Sequence, residues 1–160
     1  WIQSFEPQAC SLRFSMTELP RLYDLGLEPG MLSGNTSGVF AQRLVGLNCL
    51  ACRRERQASP EERRLLGKDE AAPLALWDAD GCDACHDTGV KGGTALAEMI
   101  YIEDGLDELI AVRATRTVMR AYLRDNGHRT MAEDGIERVL KGDISLASLM
   151  DATDLTGRMK

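Results

Sequence analysis

The sequence predicts a mostly helical chain carrying one small α+β subdomain organised by cysteines. Three observations lead there. Beyond residue 104 the apolar residues recur at helical spacing, with caps and glycine stops between the runs. Residues 47–93 hold two Cys-x-x-Cys pairs and several glycines but few apolar residues. A length of 160 residues with 44% apolar content allows one good core, or one core and a satellite.

The elements follow in order. Residues 1–16 show no clean period, and Cys10 there reads as a buried or free thiol. TELPRLYDLG (17–26) reads as a short helix, with Thr17 as cap, Leu19, Leu22 and Tyr23 on one face, and Gly26 as its stop. LEPGMLSGNTSG reads as a connection. GVFAQRLVG (38–46) reads as a second helix with Val39, Phe40, Leu44 and Val45 as its stripe. Inside the cysteine region, Ser59-Pro60-Glu61-Glu62 combines a cap, a proline at the first helical position and a glutamate three after the cap. Gly67 would stop that helix, and APLALW (72–77) would pack on the cysteine region.

TALAEMIYI (94–102) fits either a strand or the start of a helix. Helices are then expected over 104–112 (Leu106, Leu109, Ile110), 115–127 (Val118, Met119, Tyr122, Leu123), 130–142 (capping box Thr130 and Glu133, stop at Gly142) and 145–153 (cap Ser145).

Net charge is −6 with a pI near 5.0, and aromatic content is 5%. Both exclude the basic, aromatic footprint of a nucleic-acid module. CRRERQASPEERR (52–64) is basic but interleaved with glutamates, so it reads as a solvated, salt-bridged face. No apolar run approaches the roughly 18 residues a membrane span needs. No signal segment opens the chain, so a cytoplasmic protein without direct membrane insertion fits. The first residue is Trp1, which reads as part of something longer.

In a reducing compartment two such pairs point to metal rather than disulfides. Cys49, Cys52, Cys82 and Cys85 suit a tetrahedral structural zinc, with 53–81 looping out between the pairs. A closed four-thiolate shell leaves no position for catalysis. His86, beside Cys85, could replace a ligand, but the regular spacing favours the cysteines. GNTSG (34–38) lacks the lysine of a phosphate-binding loop, and two histidines build no convincing catalytic triad. His128 reads as a surface or capping residue, and Glu133-Asp134 as first-turn carboxylates favoured by the helix dipole. Alone, the chain shows no catalytic or cofactor-binding residue.

Taken in order, the motifs resemble a known family. LEPGMLSGNTSGVFAQRLVGLNCLAC is similar to the stretch of secretion and pilus assembly ATPases in which G-V-x-A-Q-R-L leads into the first cysteine pair. GCDACHDTGVKGGTALAE resembles their second pair, usually G-C-x-x-C-x-x-T-G-Y-x-G-R-x-x-I-x-E. HRTMAEDGIERVLKGDISLASLM resembles their closing helices. Val90 and Ala97 stand where the family favours aromatics, Gly93 where it has arginine, and Leu50-Ala51 where it has a proline. The family's histidine box would fall at 10–16, where CSLRFSM has none.

The resemblance implies the C-terminal part of a hexameric, RecA-like α/β ATPase of type II secretion or type IV pilus assembly. It implies residues 1–46 as the tail of the nucleotide domain, 47–98 as a tetracysteine zinc subdomain, and 99–160 as a helical subdomain. Zinc would be held by Cys49, Cys52, Cys82 and Cys85; ATP and magnesium would belong to the full-length protein only. The implied partners are neighbouring ATPase subunits and an inner-membrane platform protein, at the cytoplasmic face of the bacterial inner membrane. The competing readings are a zinc-stabilised adaptor without ATPase activity, a J-domain chaperone module, which CDACHDTG half-matches, and a nucleic-acid-binding zinc ribbon.

Overall fold

A computed structural model describes residues 19–69 and 71–155. The readings made for residues 1–16, Cys10 and Thr17 lie outside the described residues. α1 (Leu19–Asp24) ends at Gly26, whose φ of +88° and N–H bond to the Tyr23 carbonyl close the turn. The connection that follows contains one further helical turn, α2 (Pro29–Leu32).

The segment expected as a second helix is a strand, β1 (Gly38–Asn48). It pairs antiparallel with β4 (Val90–Tyr101), from Gly38 opposite Tyr101 to Asn48 opposite Val90, with a register shift between Gly46 and Asn48. The chain is therefore not mostly helical: strands of 11 and 12 residues form its spine. Along β1, Ala41 and Val45 are buried, while Phe40 and Leu44 point outward and are exposed. Val39-Phe40 and Leu44-Val45 mimic a helical stripe, but each doublet splits between two faces of a strand. Facing outward together are Gly38, Phe40, Gln42, Leu44 and Gly46 with their partners Tyr101, Met99, Ala97, Ala95 and Gly93. That face carries no charge.

Between the long strands lies a small lobe. β2 (Arg53–Gln57) pairs antiparallel with β3 (Ala75–Ala79), and α3 (Pro60–Leu65) joins them. Ser59 accepts from the Glu62 N–H at 3.2 Å, and Glu62 Oε2 accepts from the Ser59 N–H at 2.7 Å. The capping box is thus formed as its residues dictate.

α4 (Asp104–Ala111), α5 (Arg116–Asp125), α6 (Met131–Lys141) and α7 (Leu146–Ala152) complete the elements of the described residues. Val118, expected in the α5 stripe, is exposed; Met119 carries the burial. Two apolar cores result among the described residues. One gathers Ala41, Val45, Leu66, Leu76, Leu96, Val139 and Leu149, so the small lobe, the long strands, α6 and α7 share it. The other gathers Leu32, Ile100, Leu106, Ile110 and Met119 from α2, the far end of β4, α4 and α5.

α6 is the joint between layers. A Cβ on Gly135 would lie 2.1 Å from Leu149 Cδ1, so glycine is what lets α6 approach α7 and β4. Asp134 accepts from the Ala97 N–H at 3.3 Å and from Arg138 Nε at 3.2 Å, tying the first turn of α6 to β4.

Candidate metal centre

The cysteines stand at the end of the long strands. Backbone N–H groups of Cys52 and Arg53 donate to the Cys49 carbonyl at 3.2 and 2.9 Å, folding the first pair into a tight turn. The second pair forms the same kind of turn over a 3-10 segment, Asp83–Cys85, with the Cys85 N–H donating to the Cys82 carbonyl at 3.0 Å. Two residues then take left-handed backbone, His86 at φ +52° and Asp87 at +58°. Gly89 brings the knuckles together. Its carbonyl accepts from the Cys49 N–H at 2.9 Å, and a Cβ there would lie 2.3 Å from the Ala79 carbonyl oxygen.

The turns converge all four sulfurs to within 4.8 Å of one another. Cys49 and Cys82 Sγ are 3.9 Å apart, Cys52 and Cys85 3.8 Å, and Cys82 and Cys85 3.7 Å. A disulfide needs about 2.05 Å, so these are not bonded pairs. A tetrahedron with metal–sulfur bonds of about 2.3 Å has edges of about 3.8 Å. These three separations match that edge. Cys49 and Cys85 are buried, and Cys52 and Cys82 are half-buried. The four thiols could hold a metal ion, and the donor set is the one zinc favours. His86 is exposed and outside the cluster.

Local fields divide the thiols. Burial, with hydrogen bonds to the neighbouring thiols, pushes Cys52 up to about 12. Burial also works against the Cys85 thiolate, but the N–H groups of Cys82 and Gly89, together with hydrogen bonds from the Cys82 and Cys52 thiols, outweigh it and hold Cys85 at about 7. The Cys82 N–H lies 3.2 Å from Cys85 Sγ. N–H groups aimed at sulfur stabilise thiolate, the form a metal needs.

The lobe beside the cysteines is held by Arg56. Its guanidinium donates to both Glu62 oxygens, at 2.8 and 2.7 Å, and its Nε donates to Asp78. That pairing, aided by the Ser59 N–H, lowers Glu62 to about 2. A lowered carboxylate contributes stability that is present above its unfolded value and lost as pH falls through its folded one. The stability gap between the natural chain and Glu62→Gln is therefore expected to be widest above about pH 5 and to close toward about pH 2. After solvent screening we expect about 1 kcal/mol at neutral pH, read from denaturant midpoints across that range.

Sequence reasoning missed one polar pair. His128 is not a surface residue: its side chain is 12% exposed and its Nε2 lies 3.2 Å from Glu98 Oε1. Glu98, 7% exposed, also accepts from the Met131 N–H at 3.0 Å and so caps α6 from outside the helix. Burying a carboxylate requires such partners, which is why a histidine and a free helix N–H meet there.

Comparison with known proteins places this arrangement. The family model described as type II/IV secretion system protein matches residues 13–151. The chain is 35% identical over 133 residues to the type II secretion system ATPase E of Vibrio cholerae, covering 83% of this chain and 26% of that protein. It is 36% identical over 135 residues to the type II secretion system protein E of Pseudomonas aeruginosa, covering 84% and 27%. It is 33% identical over 137 residues to the type IV pilus assembly ATPase PilB of Thermus thermophilus, covering 84% and 15%. The chain spans about a quarter or less of the length of these relatives. With the match running through both cysteine pairs and the closing helices, the chain belongs to the type II/IV secretion system protein family.

Proposed function

We propose that these residues are the metal-bearing C-terminal part of an ATPase that powers type II secretion or type IV pilus assembly. The observation that carries this is the family match over 13–151 coinciding with four thiols at tetrahedral spacing. Zinc held by Cys49, Cys52, Cys82 and Cys85 would supply folding energy and rigidity rather than chemistry. Residues 1–46 belong to the tail of a RecA-like nucleotide domain, 47–98 to the zinc subdomain and 99–160 to the helical part. That reading accounts for the charge-free outward face of β1 and β4, which suits contact with more of such a domain. ATP and magnesium bind elsewhere in the longer protein. Its subunits form a hexamer on the cytoplasmic side of the inner membrane and meet a platform protein there. No helix among the described residues is long and apolar enough to cross a membrane.

The test is an exchange. The corresponding stretch of the Vibrio cholerae ATPase is replaced by residues 19–155. Secretion is expected to persist, and to be lost when Cys49→Ser and Cys52→Ser are added. An exchanged protein that folds and binds metal but neither turns over ATP nor secretes would contradict the assignment. On the isolated chain, a strong chelator is expected to lower the melting temperature by about 10 °C or more, with recovery on adding zinc. An unchanged melting temperature after complete metal removal would rule out the folding role.

A further inference from the structure

α5 carries Arg116, Arg120 and Arg124 at four-residue spacing, all exposed, in a chain of net charge −6. Successive members of such a row lie about 6 Å apart along one helix face. Arg124 reaches only its neighbour Asp125, at 3.4 Å, with both side chains exposed. Arg116 and Arg120 have no hydrogen bond or ion pair among the described residues. Every other arginine whose side chain is described has a partner in the chain. Arg56 grips Glu62 and Asp78, for example, and Arg113 lies over the Tyr23 ring. α5 buries only Met119, so the arginine face is left open.

The preceding helix carries the complement. On α4, Asp107 is occupied by Ser33 Oγ at 2.7 Å and the Gly34 N–H at 2.9 Å. Asp104 and Glu108, four residues apart and both exposed, have no such partner among the described residues. Two unpaired guanidinium groups and two unpaired carboxylates thus share the same spacing on consecutive helices of one chain, without meeting. Guanidinium is the cation best shaped for carboxylate, by bidentate bonding.

We infer that α5 of one copy docks on α4 of the next, with Arg116 and Arg120 facing Asp104 and Glu108. Such a contact joins different patches of identical chains, so it propagates head to tail and closes into a ring where the rotation allows. The inference rests on the oligomeric reading above and names a surface for it. Exposed ion pairs are individually weak and screened by salt, so in this chain alone the contact is a low-salt, high-concentration association.

Sedimentation velocity of the metal-loaded 160-residue chain tests it, at ~20 mM and ~0.5 M salt. The expected result is concentration-dependent association at low salt that disappears at high salt. R116E/R120E and D104R/E108R are each expected to weaken it at least about tenfold, because each makes both faces like-charged. Mixing the two variants restores association, since each then supplies the charge the other lacks. A natural chain that stays monomeric at low salt overturns the inference. So does association indifferent to salt and to both charge reversals, which the charge-free β1–β4 face would produce. Binding to vesicles of phosphatidylcholine and phosphatidylglycerol that R116E/R120E abolishes, with no recovery in the mixture, would assign the arginines to lipid instead. Failure here with secretion intact in the Vibrio cholerae exchange removes the contact and leaves the functional assignment standing.

Discussion

Replacing Cys82 with serine is expected to release the metal and unfold the lobe between the cysteine pairs. Cys82 Sγ lies 3.9 Å from Cys49 Sγ and 3.7 Å from Cys85 Sγ, so its loss removes one corner of the tetrahedron and its links to two others. The lobe cannot compensate. α3 buries none of its own residues, and β2 reads Arg-Arg-Glu-Arg-Gln, with no apolar side chain. Its apolar anchors are Ala58, Leu66 and Leu76. Loss of a structural metal is among the larger single-residue effects, and we expect about 3–5 kcal/mol. The damage should be graded. Amide exchange is expected to rise first over β2, α3 and β3. Because Leu76 shares a core with Val139 and Leu149, protection in α6 and α7 should fall next. The cluster of Leu106, Ile110 and Met119 stands apart from that core and should keep its protection. Uniform loss across both cores would show that the two are one cooperative unit.

Replacing Gly142 with alanine is expected to be strongly damaging although Gly142 supplies no sulfur. Gly142 ends α6 in left-handed backbone, φ +79°, while Asp143 N–H bonds back to the Arg138 carbonyl at 3.0 Å. A Cβ there would lie 2.6 and 2.7 Å from Trp77 Cδ1 and Cγ, a rigid ring. The Gly142 carbonyl also accepts from Asn48 Nδ2 at 3.1 Å and from Arg53 Nη1 at 3.4 Å, so this turn clamps α6 to the end of β1 and to β2. Left-handed strain and overpacking together should cost about 2–4 kcal/mol. Denaturant midpoints read the effect, and adding Trp77→Ala separates its parts. Removing the ring relieves the clash but leaves the backbone strain. A loss below about 0.5 kcal/mol in Gly142→Ala would mean that the turn relaxes and does not clamp the layers.

Local chemistry was the legible part of this chain. Ser59 with Glu62, Thr130 with Glu133, and Ser145 each cap the helix their spacing announced. A cap needs only residues within one turn, so the sequence carries it whole. The cysteine pairs were legible for the same reason. What brings the two pairs together is less local. Gly89 permits the close approach to Ala79, and it was visible only as a glycine four residues after Cys85.

The main misreading was β1. Val39-Phe40 and Leu44-Val45 fit a helical stripe, and nothing nearby contradicts a helix. The deciding partner is β4, whose first residue lies far downstream at Val90. Pairing over that distance overrides local pattern. His128 failed likewise: its neighbours suggest a helix end at the surface, while Glu98, thirty positions away, draws it inward.

The most direct test of the metal assignment is metal content with cobalt in place of zinc. The purified chain is expected to hold one zinc per molecule. Its cobalt form should show the intense tetrahedral absorption and thiolate-to-cobalt charge transfer of a four-sulfur site, and Cys82→Ser should lose both. A chain that carries no metal when folded, or a cobalt spectrum of octahedral type, would contradict the account and leave the four sulfurs as free thiols.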